Sequence, residues 1–136
     1  MAGRAIAGSL QHRVSELKAF IEFIDIAANE IRYCRTPVSR LLSNTARLCF
    51  DEETEDFELL VERQGSNLSF SDREILSEFK QLLGGGDVEG QQGLCRMTRE
   101  QLCINLDRAT QEERELSSLV KALSVAGAGI LILLLI

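Results

Sequence analysis

This chain of 136 residues has one proline, one histidine, one tyrosine and no tryptophan, and aromatic residues make up only 5 % of it. So little proline leaves long helices uninterrupted, and so few aromatic residues argue against a sheet. One histidine excludes a histidine-rich metal site and any acid–base pair built from two imidazoles. Positive charge is also short: 15 Lys and Arg stand against 21 Asp and Glu, a formal net charge of −6. Nucleic-acid binding needs a basic surface, so that class is set aside. The four cysteines, Cys34, Cys49, Cys95 and Cys103, contain no CxxC pair. Cys95 and Cys103 on one helix would lie about 12 Å apart, too far to bridge, so buried, reduced thiols are expected.

What is present is helical. Leu10, Val14, Leu17, Ile21, Ile24, Ala28 and Ile31 recur at alternating steps of four and three, the apolar stripe of a long amphipathic helix. Phe20, Phe23 and Ala27 widen it enough to face more than one neighbour. The helix is expected to stop near Cys34–Thr36. Thr36 then stands as N-cap and Pro37 as the first helical residue of a second helix, whose inner face is Val38, Leu41, Leu42, Thr45, Leu48 and Cys49. The acidic run Asp51–Glu58 reads as a solvated loop and helix start, with docking of a basic partner as the functional alternative. Phe57, Leu60 and Val61 seat a short helix ended by Gln64–Asn67. Ser71 and Glu74 have capping-box spacing and open a helix burying Ile75, Leu76, Phe79, Leu82 and Leu83, with Gly84 as its left-handed stop. Asp87 caps a last helix whose stripe runs from Val88 through Cys95, Leu102, Leu106 and Ala109 to Leu123 with no evident stop.

That last helix runs into Ala122–Ile136, which carries no charge and ends in seven consecutive Ile or Leu residues. About 15 residues rise roughly 22 Å, short of a hydrocarbon core of about 30 Å. Starting the span at Leu119 lengthens it and includes Lys121, whose ammonium would snorkel to the headgroups. The N-terminal MAGRAIAGSLQHR is not a signal peptide, because Arg4 interrupts too short an apolar run. The fold expected is therefore all-α: an antiparallel helical bundle over residues 10–118 and a C-terminal transmembrane helix over 119–136. Residues 1–9 are taken as the remnant of, or a linker to, an N-terminal anchor. No catalytic constellation, cofactor motif or metal-ligand spacing is evident, so the protein reads as a non-enzyme with no small-molecule substrate.

Several segments together resemble a known family. Glu30-Ile31-x-Tyr33-x-x-Thr36-Pro37, Leu68-Ser69-x-x-Asp72-Arg73-Glu74-Ile75-Leu76, Leu83-Gly84-x-x-Asp87-x-x-x-Gln91 and the apolar Leu123–Ile136 follow, in order and spacing, the pattern of the stage III sporulation protein AB family. Cys34 and Gly86 stand where that pattern has Gly and Ser. The family usually begins with a transmembrane helix, of which Gly3–Arg13 resembles the cytosolic end. The resemblance implies a membrane protein of the mother cell in endospore formation, with its bundle in the cytoplasm. It further implies a place in the assembly joining mother cell and forespore, and a domain similar to the helical domain of type II secretion F proteins. By that analogy the partners are the AA-like ATPase of the assembly, its other channel proteins and the lipid bilayer. Contact residues expected on this reading are Asp51, Glu52 and Glu55 in the acidic run, with Glu30 and Tyr33 at the end of the first helix, the latter two alternatively forming a buried polar network. The competing architecture is a tail-anchored coiled-coil adaptor that self-associates through its heptad stripes.

Overall fold

The computed structural model describes residues 2–34, 37–52 and 54–136; of residues 2–7, Cys34 and Ser39 only the backbone is described. The described residues form five helices and no strand: α1 (Ala2–Cys34), α2 (Val38–Phe50), α3 (Phe57–Gln64), α4 (Phe70–Leu82) and α5 (Val88–Leu135). Three polar contacts set the direction of the two long helices. Arg13 reaches Glu112, Asp25 reaches Arg99, and the Ala28 carbonyl accepts from Gln92. Residue numbers rise on α1 as they fall on α5, so the pair is antiparallel.

The stripe of α1 is the spine of the core. Leu17, Phe20, Phe23, Ile24 and Ala27 are at most 1 % exposed, and Val14, Ile21 and Ile31 are buried with them. The extra width supplied by the phenylalanines is what allows α1 to meet two neighbours. Phe20 packs on Phe50 of α2 at 5.2 Å between ring centroids, and Phe23 on Phe57 of α3 at 5.5 Å. Phe57 in turn meets Phe79 of α4 edge-on at 6.2 Å, the offset and tilted geometries that ring quadrupoles favour. These stripes are consumed within one chain, as a bundle requires and a self-associating coiled coil does not. Ile24→Ala is expected to destabilise the fold by about 2–5 kcal/mol, since a fully enclosed site collapses poorly around a lost side chain. Urea unfolding followed by helical ellipticity measures this, and a loss below about half a kcal/mol would refute the packing.

Local signals explain most element ends. The Asp87 carboxylate accepts from the Gly90 N–H at 2.7 Å and caps α5. Gly84 follows α4 at φ +91°, a conformation that costs glycine little. Gly65 closes α3 where nothing larger fits, because a Cβ there would stand 2.5 Å from Leu68 and 2.7 Å from the Val61 carbonyl.

Four expectations need correction. The capping box of α4 is Ser69 with Asp72, not Ser71 with Glu74: Ser69 Oγ accepts from the Asp72 N–H at 3.2 Å, and Asp72 Oδ2 from the Ser69 N–H at 2.9 Å. The helix therefore starts one turn-fraction earlier, and Phe70 is left 77 % exposed. Leu82 is half exposed while Leu83 is buried, because the turn toward Gly84 swings the last residue of α4 off the inner face. Leu48 is exposed and Ala46 takes its place beside Thr45, whose hydroxyl donates to the Leu41 carbonyl at 2.7 Å. Pro37 is the N-cap of α2 rather than its first helical residue, with no side-chain cap bond. The expected cap Thr36 lies outside the described residues.

Candidate functional site

Two of the buried polar side chains among the described residues, Asp72 and Asn105, meet at one place. Asp72 has no exposure, and Arg13 of α1 grips it with both ends of its fork: Nε donates to Oδ2 at 2.9 Å and Nη2 to Oδ1 at 3.2 Å. Asn105 of α5 donates to Oδ1 at 2.6 Å, and its amide also lies 3.4 Å from Ser71 Oγ. A charge taken out of water is tolerated when paired and fully hydrogen-bonded, and this carboxylate has donors from α1, from α5 and from the cap residue of its own helix. Burial by itself pushes the Asp72 carboxyl up, but bonds from Arg13, the Ser69 backbone and Asn105 outweigh it and hold the group below the usual carboxylate range. The Arg13 guanidinium is held charged more firmly in return, chiefly by its bond to Asp72.

One turn further along α1, Glu16 holds the loop before α4. Its carboxylate accepts from the Asn67 N–H at 2.9 Å and the Asn67 side chain at 3.1 Å. Arg73 donates to the Gly65 and Ser66 carbonyls, both at 3.3 Å. The segment Leu68–Asp72 is thus locked to α1 by a buried leucine, a cap and a bidentate ion pair. The Arg13–Asn105 component is invisible to a motif search, although Arg13 sits inside the apolar arc of α1, where an unpaired charge would be costly. That position was the available signal.

The acidic run is less free than its composition suggests. Asp51 ends α2 in the left-handed region at φ 54°. Glu52 is half-buried and accepts from Arg63 at 3.2 Å. Asp56 caps α3 through the Leu59 N–H, and Glu58 faces Lys80 at 3.6 Å. Among the described residues of the run, Asp51 and Glu55 are exposed carboxylates whose side chains have neither a cap bond nor a counter-ion. Glu30 is half-buried and not without a partner, whereas Tyr33 is 73 % exposed with the Arg32 guanidinium 5.3 Å from its ring centre. Tyr33 therefore belongs to no buried network. Nor do the five residues form one cluster: Phe50 packs beside Phe20, so Asp51 sits roughly 20 Å along α1 from Tyr33.

Cysteine chemistry is muted. Cys49, Cys95 and Cys103 are free thiols, with Cys95 buried and the other two half-buried. Burial pushes both Cys49 and Cys95 up to about 11, with Glu22 and Asp25 adding to it respectively, so neither is a ready nucleophile at neutral pH. The Cys34 side chain lies outside the described residues. Among the described residues no group of three His, Cys, Asp or Glu is arranged to hold a metal.

The other end of α5 is bare. Its buried face, Cys95, Thr98, Leu102, Asn105 and Ala109, ends there, and every residue from Ser117 onward is exposed. An 18-residue stretch within it has a mean hydropathy of 2.2 and no burial inside the protein. A core helix of that composition would be covered by its neighbours. This one is long and apolar enough to cross a membrane, and the unbroken helix of 48 residues, about 72 Å, carries it directly out of the core.

No curated protein and no solved structure matches the chain. The sequence model described as stage III sporulation protein AB matches residues 55–136. That stretch starts at Glu55 and takes in α3, the Ser69–Asp72 box, the Gly84 turn, the Asp87 cap and all of α5, while the Glu30–Pro37 segment lies before it. The matched stretch holds the Ser69, Asp72 and Asn105 side of the ion-pair lock, though not Arg13, together with the whole of the bare helix, and on this match the chain belongs to the stage III sporulation protein AB family.

Proposed function

We propose that the protein is a membrane-anchored structural component of the mother-cell–forespore channel assembly in endospore formation, with its bundle in the mother-cell cytoplasm serving as a bracket for a secretion-type ATPase. The observation that carries this reading is α5, one helix that is core wall at one end and uncovered apolar surface at the other. Family membership supplies the sporulation context. The F-protein likeness and the ATPase partner rest on analogy of fold and position. Basic residues before the apolar stretch, Arg108, Arg114 and Lys121, support a cytoplasmic flank.

Docking through charge is assigned to the Asp51–Glu55 loop, with Tyr33 as a separate aromatic contact. The geometry refines how this is tested. Glu52 holds Arg63 and Asp51 holds a left-handed turn, so reversing either would disturb the fold as well as the surface. Glu55→Lys combined with Asp51→Asn removes charge while keeping the turn residue's shape. In a pull-down of the full chain with the AA-like ATPase, this pair is expected to weaken binding and to flatten its salt dependence, since exposed charges are screened beyond about 8–10 Å. Thermal stability should change little, within about 0.5 kcal/mol. Wild-type-like capture by the variant would remove the charge patch from the proposal, and no capture of the unaltered chain at low salt would remove direct docking.

A further inference from the structure

Several cations in this protein are committed to polar partners. Arg13 holds Asp72, Arg63 holds Glu52, Lys80 faces Glu58, Arg99 holds Asp25, and Arg73 donates to carbonyls. Arg114 and Lys121 are not: among the described residues neither makes an ion pair, and both are exposed. They lie seven residues apart and so share one face of α5. They line a single concavity of about 410 Å³ together with Ser117, Ser118, Glu113 and Thr110. Its place is the last stretch of polar helix before Ala122, where the charge-free segment begins.

We infer that this concavity binds the headgroup of a phospholipid, its phosphate held by Lys121 and Arg114 and its outer part by Glu113. The inference rests on the membrane-anchored reading above. The order of side chains along the helix fits the order of groups in a lipid. Lys121 is nearest the apolar segment, the two serine hydroxyls follow, and Arg114 is about 10 Å above Lys121 by helical rise. Two flexible cations with hydroxyl donors between them converge on a phosphate at the level where lipid phosphates lie. Glu113 is about 12 Å above Lys121. Its carboxylate repels a second anionic group there and accepts hydrogen bonds, so it selects an outer headgroup that donates. Glycerol and ethanolamine headgroups do so, and choline has no such donor. Thr110 is already occupied, its hydroxyl donating to the Leu106 carbonyl at 2.8 Å.

The test is lipid retention by the full chain released from detergent micelles in native mass spectrometry, with phosphatidylglycerol, phosphatidylethanolamine and phosphatidylcholine offered in turn. Retention of the first two should exceed that of phosphatidylcholine several-fold. Arg114→Gln with Lys121→Gln should reduce it at least fivefold, and Glu113→Ala should narrow the gap to phosphatidylcholine. Arg96→Gln, at the far end of α5, is the control that leaves retention unchanged, and helical ellipticity confirms that each variant is folded. Equal retention in the double variant and the unaltered chain would overturn the site even where the protein remains in the membrane. Competition by inorganic phosphate at the lipid's own concentration would overturn the lipid assignment in favour of a soluble phosphate. A chain that fails to partition with membranes at all would instead refute the anchoring on which the inference rests.

Discussion

Asp72→Ala is expected to cost about 3 kcal/mol of stability, a large share of the roughly 5–15 kcal/mol that holds a domain of this size together. The loss comes less from the missing ion pair than from what it leaves behind. Arg13, with its side chain only 15 % exposed, would keep its charge without a counter-ion, and Asn105 and the Ser69 N–H would lose their acceptor. Partial access of Arg13 to water keeps the figure at the lower end of the range for broken buried pairs. Glu112→Gln is the internal contrast: Arg13 also faces Glu112, but at 3.8 Å and with that side chain 58 % exposed, so its removal should stay within about 1 kcal/mol. Denaturant titrations of both variants decide the matter, and equal losses would contradict the assignment of Asp72 as the centre of the lock. The same pair sets an acid limit. The folded-state pKa of Asp72 is lowered, so its contribution is complete above the unfolded value, near pH 4, and disappears as pH falls through the lower folded value. Stability of the parent should therefore fall with acid below about pH 4 more steeply than that of Asp72→Ala.

Placing a charge in the bare end of α5 should release the protein from membranes. Ile130 and Leu133 are 59 % and 75 % exposed, with no protein partner to compensate a guanidinium. Ile130→Arg, nearer the middle of the 119–136 segment, costs about 2.5–3.5 kcal/mol on insertion scales, on the order of a hundredfold in partitioning. Leu133→Arg, closer to the end, should cost somewhat less because the longer side chain can snorkel outward. Alkaline carbonate extraction of membranes reads the effect directly. The bundle core does not include these positions, so helical content should be preserved in the extracted variant. Membrane association that survives deletion of Ala122–Ile136 would assign the anchor to another part of the molecule.

The faces of helices were legible in the sequence, and their partners were not. The α1 stripe, the Asp87 cap, the Gly84 stop and the unbroken last helix all follow from periodicity and from residues whose conformational preferences act locally. The α4 start shows where that reasoning ends. Ser69-x-x-Asp72 and Ser71-x-x-Glu74 have identical spacing, and both fit the pattern of a Ser or Thr followed three residues on by an acid. What decides between them is Arg13, 59 residues away, which pairs with Asp72, and Leu68, which is buried just before the box. A tertiary partner thus chooses between two equally good local signals. Leu82 and Leu83 illustrate the same point at the other end of α4, where the path of the turn, not hydrophobicity, determines which leucine is enclosed. The acidic run misleads for a related reason: composition counts its charges, while Arg63, Lys80 and the α3 N-terminus absorb them.

The absence of any joint between the core wall and the apolar end of α5 has a rotational consequence. From Ala109, the last buried residue, to Leu119 the backbone is continuous α-helix, so the azimuth of the bundle is keyed to the azimuth of the apolar segment. One alanine inserted between Ser117 and Ser118 would turn the whole bundle by about 100° relative to the apolar segment and raise it by about 1.5 Å, whereas four would bring it back to within roughly 40° at a height of about 6 Å. Activity in sporulation that vanishes with one or two added residues and returns with four would mean that the protein's role depends on the heading of this bundle relative to the apolar segment and not merely on the presence of both.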